Sequence, residues 1–305
     1  MIDGLIDLHT HSNASDGDFS PAQLMREASK AGLTAIALTD HDTLDGLAGA
    51  SAEAQECGIR FIPGVEISIQ WAGEHAAGGS GASEQAPGMG PGGEFHLLGL
   101  GIKSPTPAFL SAIEELSRRR EARNREILDR MHELSIDASW EEILSLSGGH
   151  SVGRPHFASL LVSKKIVRTR EQAFDRYLKQ GKPFYVPKAG LPFDEAAALI
   201  RESGGIPVLA HPMSLYIAWG RLPDLIKTLK NRGLLGIEAW HPTAKVKSCC
   251  RLEALGKEMN LHVTEGSDFH GIIRPDRRLG YSSRSRKISE AVLEAIPELA
   301  IEPRQ

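Results

Sequence analysis

Asp7-Leu-His9-Thr-His11-Ser-Asn-Ala-Ser-Asp16-Gly17 follows a short apolar run, Gly4-Leu5-Ile6, and gathers two imidazoles and two carboxylates into one short stretch. In an extended chain His9 and His11 share a face, because side chains alternate with a period of two. Two imidazoles on one face can grip a divalent ion, although an isolated H-x-H pair also suits two surface histidines. The reading turns on whether other strand ends supply further ligands.

Outward from this stretch the chain alternates. Ser20-Pro21 opens a helix, with the hydroxyl as N-cap and proline at the first helical position; Leu24, Ala28 and Ala31 form its apolar stripe and Gly32 ends it. Leu33–Leu38 reads as a buried strand that stops at Thr39-Asp40-His41-Asp42-Thr43. A helix from about Leu47 to Cys57, capped by Gly58, leads to a strand at Ile59–Ile62 and on to Gly64-Val-Glu66-Ile-Ser68. This rhythm argues a parallel α/β sheet or barrel, where reactive groups collect at the carboxyl ends of the strands.

From Ala72 to Glu94 the texture turns to Gly, Ala, Ser and Pro, and reads as a flexible loop between two strands, with His75 inside it set aside as a ligand. Phe95-His96-Leu-Leu-Gly-Leu100-Gly-Ile102 places a histidine in an apolar strand, where a satisfied core histidine is the competing reading. Residues 104–188 lack the alternation and read as mainly helical, with a long amphipathic helix from about Ala108 to Leu134 carrying Ile113, Leu116, Ile127, Leu128, Met131 and Leu134. Within it, Arg118-Arg-Arg120-Glu-Ala-Arg123-Asn124-Arg125 reads first as a solvated face, with a basic wall toward a phosphate as the alternative.

Gly153-Arg154-Pro155-His156 leads into another helix, and an arginine fork at a helix start suits a phosphate drawn there; His156 can instead simply pack. The alternation then resumes: a helix at 193–204, the strand Ile206–Ala210 ending at His211, a helix at 223–232, a strand ending at Glu238-Ala-Trp240-His241, a helix at 244–260, and a last strand reaching Asp268 and His270.

The balance of 35 Lys and Arg against 39 acids gives a net charge of −4, with no global basic field for duplex DNA. Cys57, Cys249 and Cys250 form neither a disulfide framework nor a C-x-x-C site. With no long apolar run and no leader-like start, the cytoplasm is the expected compartment. Strand ends together offer His9, His11, Asp16, His41, Glu66, His96, His211, Asp268 and His270. So many mixed N and O donors without thiolate exceed the four of a closed zinc site and suit two or three ions, with a carboxylate as bridge. Ions bridged about 3.5–4 Å apart activate a shared water and clamp the oxygens of an in-line displacement at phosphorus, which points to phosphoester hydrolysis.

Asp7-Leu-His9-Thr-His11-Ser with Asp16-Gly17, Leu38-Thr-Asp40-His41-Asp42, Pro63-Gly64-Val-Glu66-Ile, His96-Leu-Leu-Gly, Ala210-His211-Pro212 and Gly266-Ser267-Asp268-Phe269-His270 resemble, in order and across almost the whole chain, the motifs of the polymerase and histidinol phosphatase (PHP) family. The resemblance implies an α/β fold, a distorted (β/α)7 barrel with a mainly helical insertion domain. Residues 1–103 and 189–305 would form the barrel, residues 104–188 a substrate-capping insertion, and residues 72–94 a flexible loop longer than the family's usual hairpin.

It also implies three divalent metal ions, manganese first, with iron or zinc accepting the same ligands. One ion would take His9, His11, Glu66 and Asp268; a second would share Glu66 and add His96 and His211; a third would use Asp16, His41 and His270. Glu66, Asp268 and His241 are the catalytic candidates; the acid is either His241 or a metal-bound water, and Trp240-His241-Pro242 follows the family's aromatic-plus-His pattern only in part. Arg154, His156, His241 and Arg123 are the substrate-binding candidates.

The helical insertion, the Gly153–His156 turn and Tyr185-Val-Pro187 are similar to the branch of 3′,5′-nucleotide bisphosphate phosphatases, some of which also trim short RNA from its 5′ end. The expected partner is therefore a small nucleotide or short RNA, with no duplex DNA, no membrane and no obligate protein partner. Histidinol phosphate as substrate, and a metal-stabilised non-catalytic polymerase-accessory module, are the competing readings.

Overall fold

Seven short strands lie side by side in sequence order: β1 (Leu5–Asp7), β2 (Leu33–Leu38), β3 (Arg60–Ser68), β4 (His96–Leu100), β5 (Ile206–Leu209), β6 (Gly236–Trp240) and β7 (His262–Glu265). The computed structural model from which they are taken describes residues 4–70, 93–147, 152–188 and 190–299. His75 and nearly all of the glycine-rich stretch lie outside these residues. The sheet curls into a nearly closed barrel, because pairing continues past the ends of β1 and β7. Asp268 N donates to His9 O at 2.8 Å and His11 N donates to Phe269 O at 2.9 Å.

The all-parallel expectation is corrected at β4, which runs antiparallel to both β3 and β5. A parallel neighbour needs a crossover, usually a helix, to carry the chain back along the sheet. Among the described residues no helix stands between β3 and β4, and Ile69 N donates to Phe95 O at 2.8 Å as the two strands part. His96 consequently occupies the first position of its strand, opposite Ser68, rather than a carboxyl end. Reversal of the strand still brings it to the rim where its partners end.

Apolar residues of alternating phase, among them Ile6, Leu8, Ala35, Ala37, Leu98 and Val208, form one core of the barrel. Outside, α1 (Pro21–Lys30) starts at a capping box between Ser20 and Gln23, and α2 (Leu47–Cys57) ends at left-handed Gly58. α1 lies against β2 and α2 against β3, burying Leu24, Met25, Ala28, Ala50 and Ala54. The stretch between β4 and β5 is helical, with α3 (Pro107–Glu133), α4 (Trp140–Leu146), α5 (Arg154–Ser163), α6 (Arg170–Ala173) and α7 (Phe193–Glu202). Then α8 (Leu222–Asn231) and α9 (Val246–Glu258) alternate with the last strands, and α10 (Ala291–Glu294) closes the series. Among the described residues no helix is long and apolar enough to cross a membrane.

α3 spans two cores. Phe109, Ile113 and Leu116 pack with the barrel, whereas Ile127 and Met131 pack with Phe157, Leu161 and Phe184 in a separate cluster. The helical period carries this buried stripe through Arg120, Arg123 and Asn124, so polar side chains face inward where the two cores meet.

Tight packing at the rim singles out Gly266, just beyond β7. A Cβ there would lie 2.3 Å from His9 Cβ and 2.5 Å from Glu238 Oε1. Gly266→Ala is expected to destabilise the fold by about 1–3 kcal/mol through overpacking, read as a lower urea midpoint; an unchanged midpoint would show that this close approach is not needed.

Candidate metal centre

The nine strand-end candidates converge at one rim. Backbone pairing puts them there: Glu66 N donates to Asp40 O and Asp42 N to Glu66 O, at 3.1 and 3.0 Å, and Ala210 N donates to His96 O at 3.2 Å. His211, Asp268 and Asp42 hold left-handed backbone at φ of 26°, 52° and 52°, a conformation that non-glycine residues adopt at a cost and that collects at functional sites.

Glu66 lies at the centre, 0% exposed. Its Oε2 is 3.3 Å from His9 Nε2, 3.3 Å from His11 Nε2 and 3.1 Å from His41 Nδ1. Its Oε1 is 2.8 Å from both His96 Nδ1 and His211 Nε2, which are themselves 3.4 Å apart. Asp268 Oδ1 completes the first group, 3.6 Å from His9 Nε2 and 3.2 Å from His11 Nε2. Asp16 Oδ1 lies 3.3 Å from His270 Nε2 and 3.9 Å from His41 Nε2, with His11 Nδ1 at 4.0 Å.

Donors arranged around one ion at 2.0–2.2 Å stand about 3–3.5 Å from each other, close to the spacings of the first two groups. A second observation points the same way. Glu66 Oε2, His11 Nδ1 and His41 Nδ1 are buried without a hydrogen-bond partner among the described residues, although each has ligand-type atoms close by. Burial opposes the ionised form of Glu66, yet His41, His96 and His9 hold its carboxyl well below the usual carboxylate range. Burial likewise opposes the charge on Asp16, but His270 and His41 hold it down. Three overlapping groups, His9, His11 and Glu66; His41, Glu66 and His96; and His11, Asp16, His41 and His270, therefore offer carboxylates and imidazole nitrogens close enough to share an ion, a donor set that fits divalent cations and that brings His41 to Glu66 and His96 as well as to Asp16.

Residues that sequence reasoning missed orient these ligands. Glu238 Oε1 accepts from His9 Nδ1 at 2.9 Å and its Oε2 accepts from His211 N at 2.7 Å. Asp40 accepts from Ser12 N, Ser12 Oγ and Ser15 Oγ at 2.6–2.7 Å, fastening the loop that ends at Asp16. Asp7 accepts from Ser267 N and Gly280 N at 3.0 and 2.8 Å. Each is an acid at or near a strand end, which was the only signal in the sequence.

The other candidates separate. His241 joins the cluster, its Nε2 3.2 Å from Asp268 Oδ2 and its Nδ1 2.7 Å from Thr243 Oγ1. Arg277, buried and not singled out beforehand, approaches the same Asp268 oxygen at 3.6 Å. His156 Nδ1 accepts from Gly153 N at 2.9 Å, so that nitrogen caps α5. Arg154 pairs with Glu94, and Arg120 with Asp42. Arg123 is 8% exposed; its Nε donates to Val186 O at 2.9 Å, while one terminal nitrogen has no partner among the described residues. Burial, with Arg154 and Arg120 nearby, lowers its pKa to about 9. Lys188 Nζ, also missed, lies 3.0 Å from His96 Nε2. The arginine run thus divides: Arg118, Arg119 and Arg125 form exposed pairs with Glu115 and Glu121, whereas Arg120 and Arg123 turn toward the site.

The PHP domain profile matches residues 7–186 of this sequence. The chain belongs to the PHP domain family. This PHP chain is 32% identical over 268 residues to the 5′-3′ exoribonuclease Rnm of Salmonella typhimurium, covering 87% of this chain and 85% of that protein. It is 29% identical to the 3′,5′-nucleoside bisphosphate phosphatase of Chromobacterium violaceum, over 91% of each chain. Among solved structures, an amidohydrolase from Chromobacterium violaceum with bound sulfate superposes with a TM-score of 0.79 at 27% identity, covering 97% of this chain and 99% of that one.

Because Glu238 fixes His9 and the backbone of His211, Glu238→Gln should weaken divalent-metal binding roughly 10–100-fold, as loss of such outer partners does. Titration of chelator-stripped protein with Mn and Zn, followed by metal content after gel filtration, measures this; unchanged affinity would remove Glu238 from the centre.

Proposed function

We propose that the protein is a metal-dependent phosphoesterase that hydrolyses a phosphate ester of 3′,5′-nucleotide bisphosphates, with 5′-to-3′ trimming of short RNA open to the same site. The observation that carries this reading is a metal-type cluster built on Glu66, bordered by a group of cations with a buried guanidinium lacking a full set of partners. The relatives named above act on such nucleotides and on RNA, which supports the substrate class.

Three divalent ions, manganese first, would be held by His9, His11, Glu66 and Asp268; by Glu66, His96 and His211; and by Asp16, His41 and His270. Bound there, they supply Lewis acidity and a nucleophile at neutral pH. The protein's own side chains supply the remainder. Arg123, Arg154 and Lys188 bind the phosphate next to the scissile one, which a 3′,5′-bisphosphate has and a simple monophosphate lacks. A cation buried with an unpaired nitrogen is costly in the free protein and is satisfied by such an anion. His241 Nε2 donates to Asp268 Oδ2, and in its imidazolium form, which burial disfavours and Asp268 supports, the ring is the candidate donor to the leaving oxygen. His156 serves the helix start, with a substrate contact left to its other nitrogen. The helical stretch 104–188 acts as the substrate-capping unit, and the cytoplasm, with a free nucleotide pool, is the compartment of action.

A side-by-side assay of metal-loaded protein on adenosine 3′,5′-bisphosphate, short 5′-phosphorylated RNA and histidinol phosphate tests the assignment, with metal content measured on the same sample. Preference for histidinol phosphate would overturn it, and no turnover of any ester would favour the non-catalytic module. Arg123→Met should cost about tenfold more in kcat/KM for the bisphosphate than for a nucleoside 5′-monophosphate, the loss expected from one charge-assisted contact. Equal losses on both substrates would take Arg123 out of phosphate recognition.

A further inference from the structure

A cleft of about 580 Å³ opens between His41 at the barrel rim and the helices α3 and α4. Its size lies within the roughly 300–1,000 Å³ typical of small-molecule sites and exceeds the needs of one phosphate. Leu144, Val152 and Trp140, whose ring carries the Arg125 guanidinium 4.7 Å from its centroid on one face, give it an apolar wall, and Asn124 lines it from α3.

Asn124 is 1% exposed, and its Nδ2 donates to Val152 O at 2.8 Å. A backbone carbonyl only accepts, so this bond fixes which way the amide is turned. Oδ1 is then left buried, with no hydrogen-bond partner among the described residues. An acceptor in that state strongly favours an occupant with an N–H to offer.

Charge narrows the occupant further. Asp42, Asp45 and Glu121 line the cleft against one guanidinium, that of Arg120, which is already paired with Asp42, so the lining is acidic on balance and disfavours a phosphate. Phosphates belong with the metal-type cluster and the neighbouring cations instead. The occupant that fits is flat and uncharged, with apolar faces for the wall and an N–H donor on its edge.

We infer that this cleft is the nucleobase subsite, in which the base rests against the Trp140 wall and gives an N–H, such as the 6-amino group of adenine, to Asn124 Oδ1. This rests on the nucleotide reading above. Arg123 and Asn124 are consecutive in α3, so one turn of helix serves both a phosphate and the base. His41 borders the cleft and the metal-type cluster alike, which keeps the base within one nucleotide of the reacting phosphate.

The test compares adenosine 3′,5′-bisphosphate with purine riboside 3′,5′-bisphosphate, identical in sugar and phosphates but without any N–H on the base. The metal-loaded wild type should favour the adenosine compound about tenfold in kcat/KM, mainly through KM. In Asn124→Ala that advantage should vanish; since misfolding lowers both rates alike, the ratio isolates the contact. Trp140→Ala should raise KM for both substrates. Quenching of tryptophan fluorescence by adenosine 3′,5′-bisphosphate on chelator-treated protein gives a readout independent of turnover, and it should be weaker in Trp140→Phe. Equal use of the two substrates by the wild type overturns the base subsite while leaving the phosphoesterase reading in place. Failure to hydrolyse either one overturns both.

Discussion

A single carboxylate, that of Glu66, sits in the barrel wall with five imidazoles within 3.3 Å of its oxygens. Such an arrangement is expensive in a protein interior, where buried charge and unpaired nitrogen each cost free energy. The surrounding structure is arranged to hold it. Seven strands deliver their ends to one rim, Glu238 and Asp40 lock the orientation of neighbouring side chains and loops, and three non-glycine residues accept left-handed backbone. Strain at these positions is the cost of presenting many donors from separate strands within one small volume.

The polar side chains that border the metal-type cluster come from a different part of the chain, chiefly α3. Its apolar stripe joins two cores and is interrupted once, at Arg120, Arg123 and Asn124. Anchoring at both ends makes the polar turn between them rigid, so its side chains are held against the rim without a loop to position them. A rigid polar turn loses little entropy when it meets a ligand.

Much of this was legible in the sequence, for physical reasons that differ from element to element. Helices α1 and α2 announce themselves through Ser20-Pro21 and Gly58, and β2 through a run apolar but for Thr34 that polar residues end abruptly. The same polar endings exposed the strand-end ligands. Reversal of β4 was hidden, because an apolar strand buried on both faces carries no mark of its direction. Glu238 was hidden as well, since an acid at a strand end does not say whether it is a ligand or the partner of one. The arginine run was read first as a solvated face, and Arg118, Arg119 and Arg125 are that; only the phase of Arg120 and Arg123 relative to Leu116 and Ile127 separates the inward pair from the rest.

The reversed strand also bears on how such a barrel can diversify. Since β3 and β4 are antiparallel, the chain leaves Ser68 and returns at His96 on the same rim as the metal-type cluster. A parallel β4 would have sent that connection to the opposite end. A shift of register at this pair would carry His96 to the other face of the sheet and away from Glu66, so these strands can change in sequence but not in alignment while the cluster is kept.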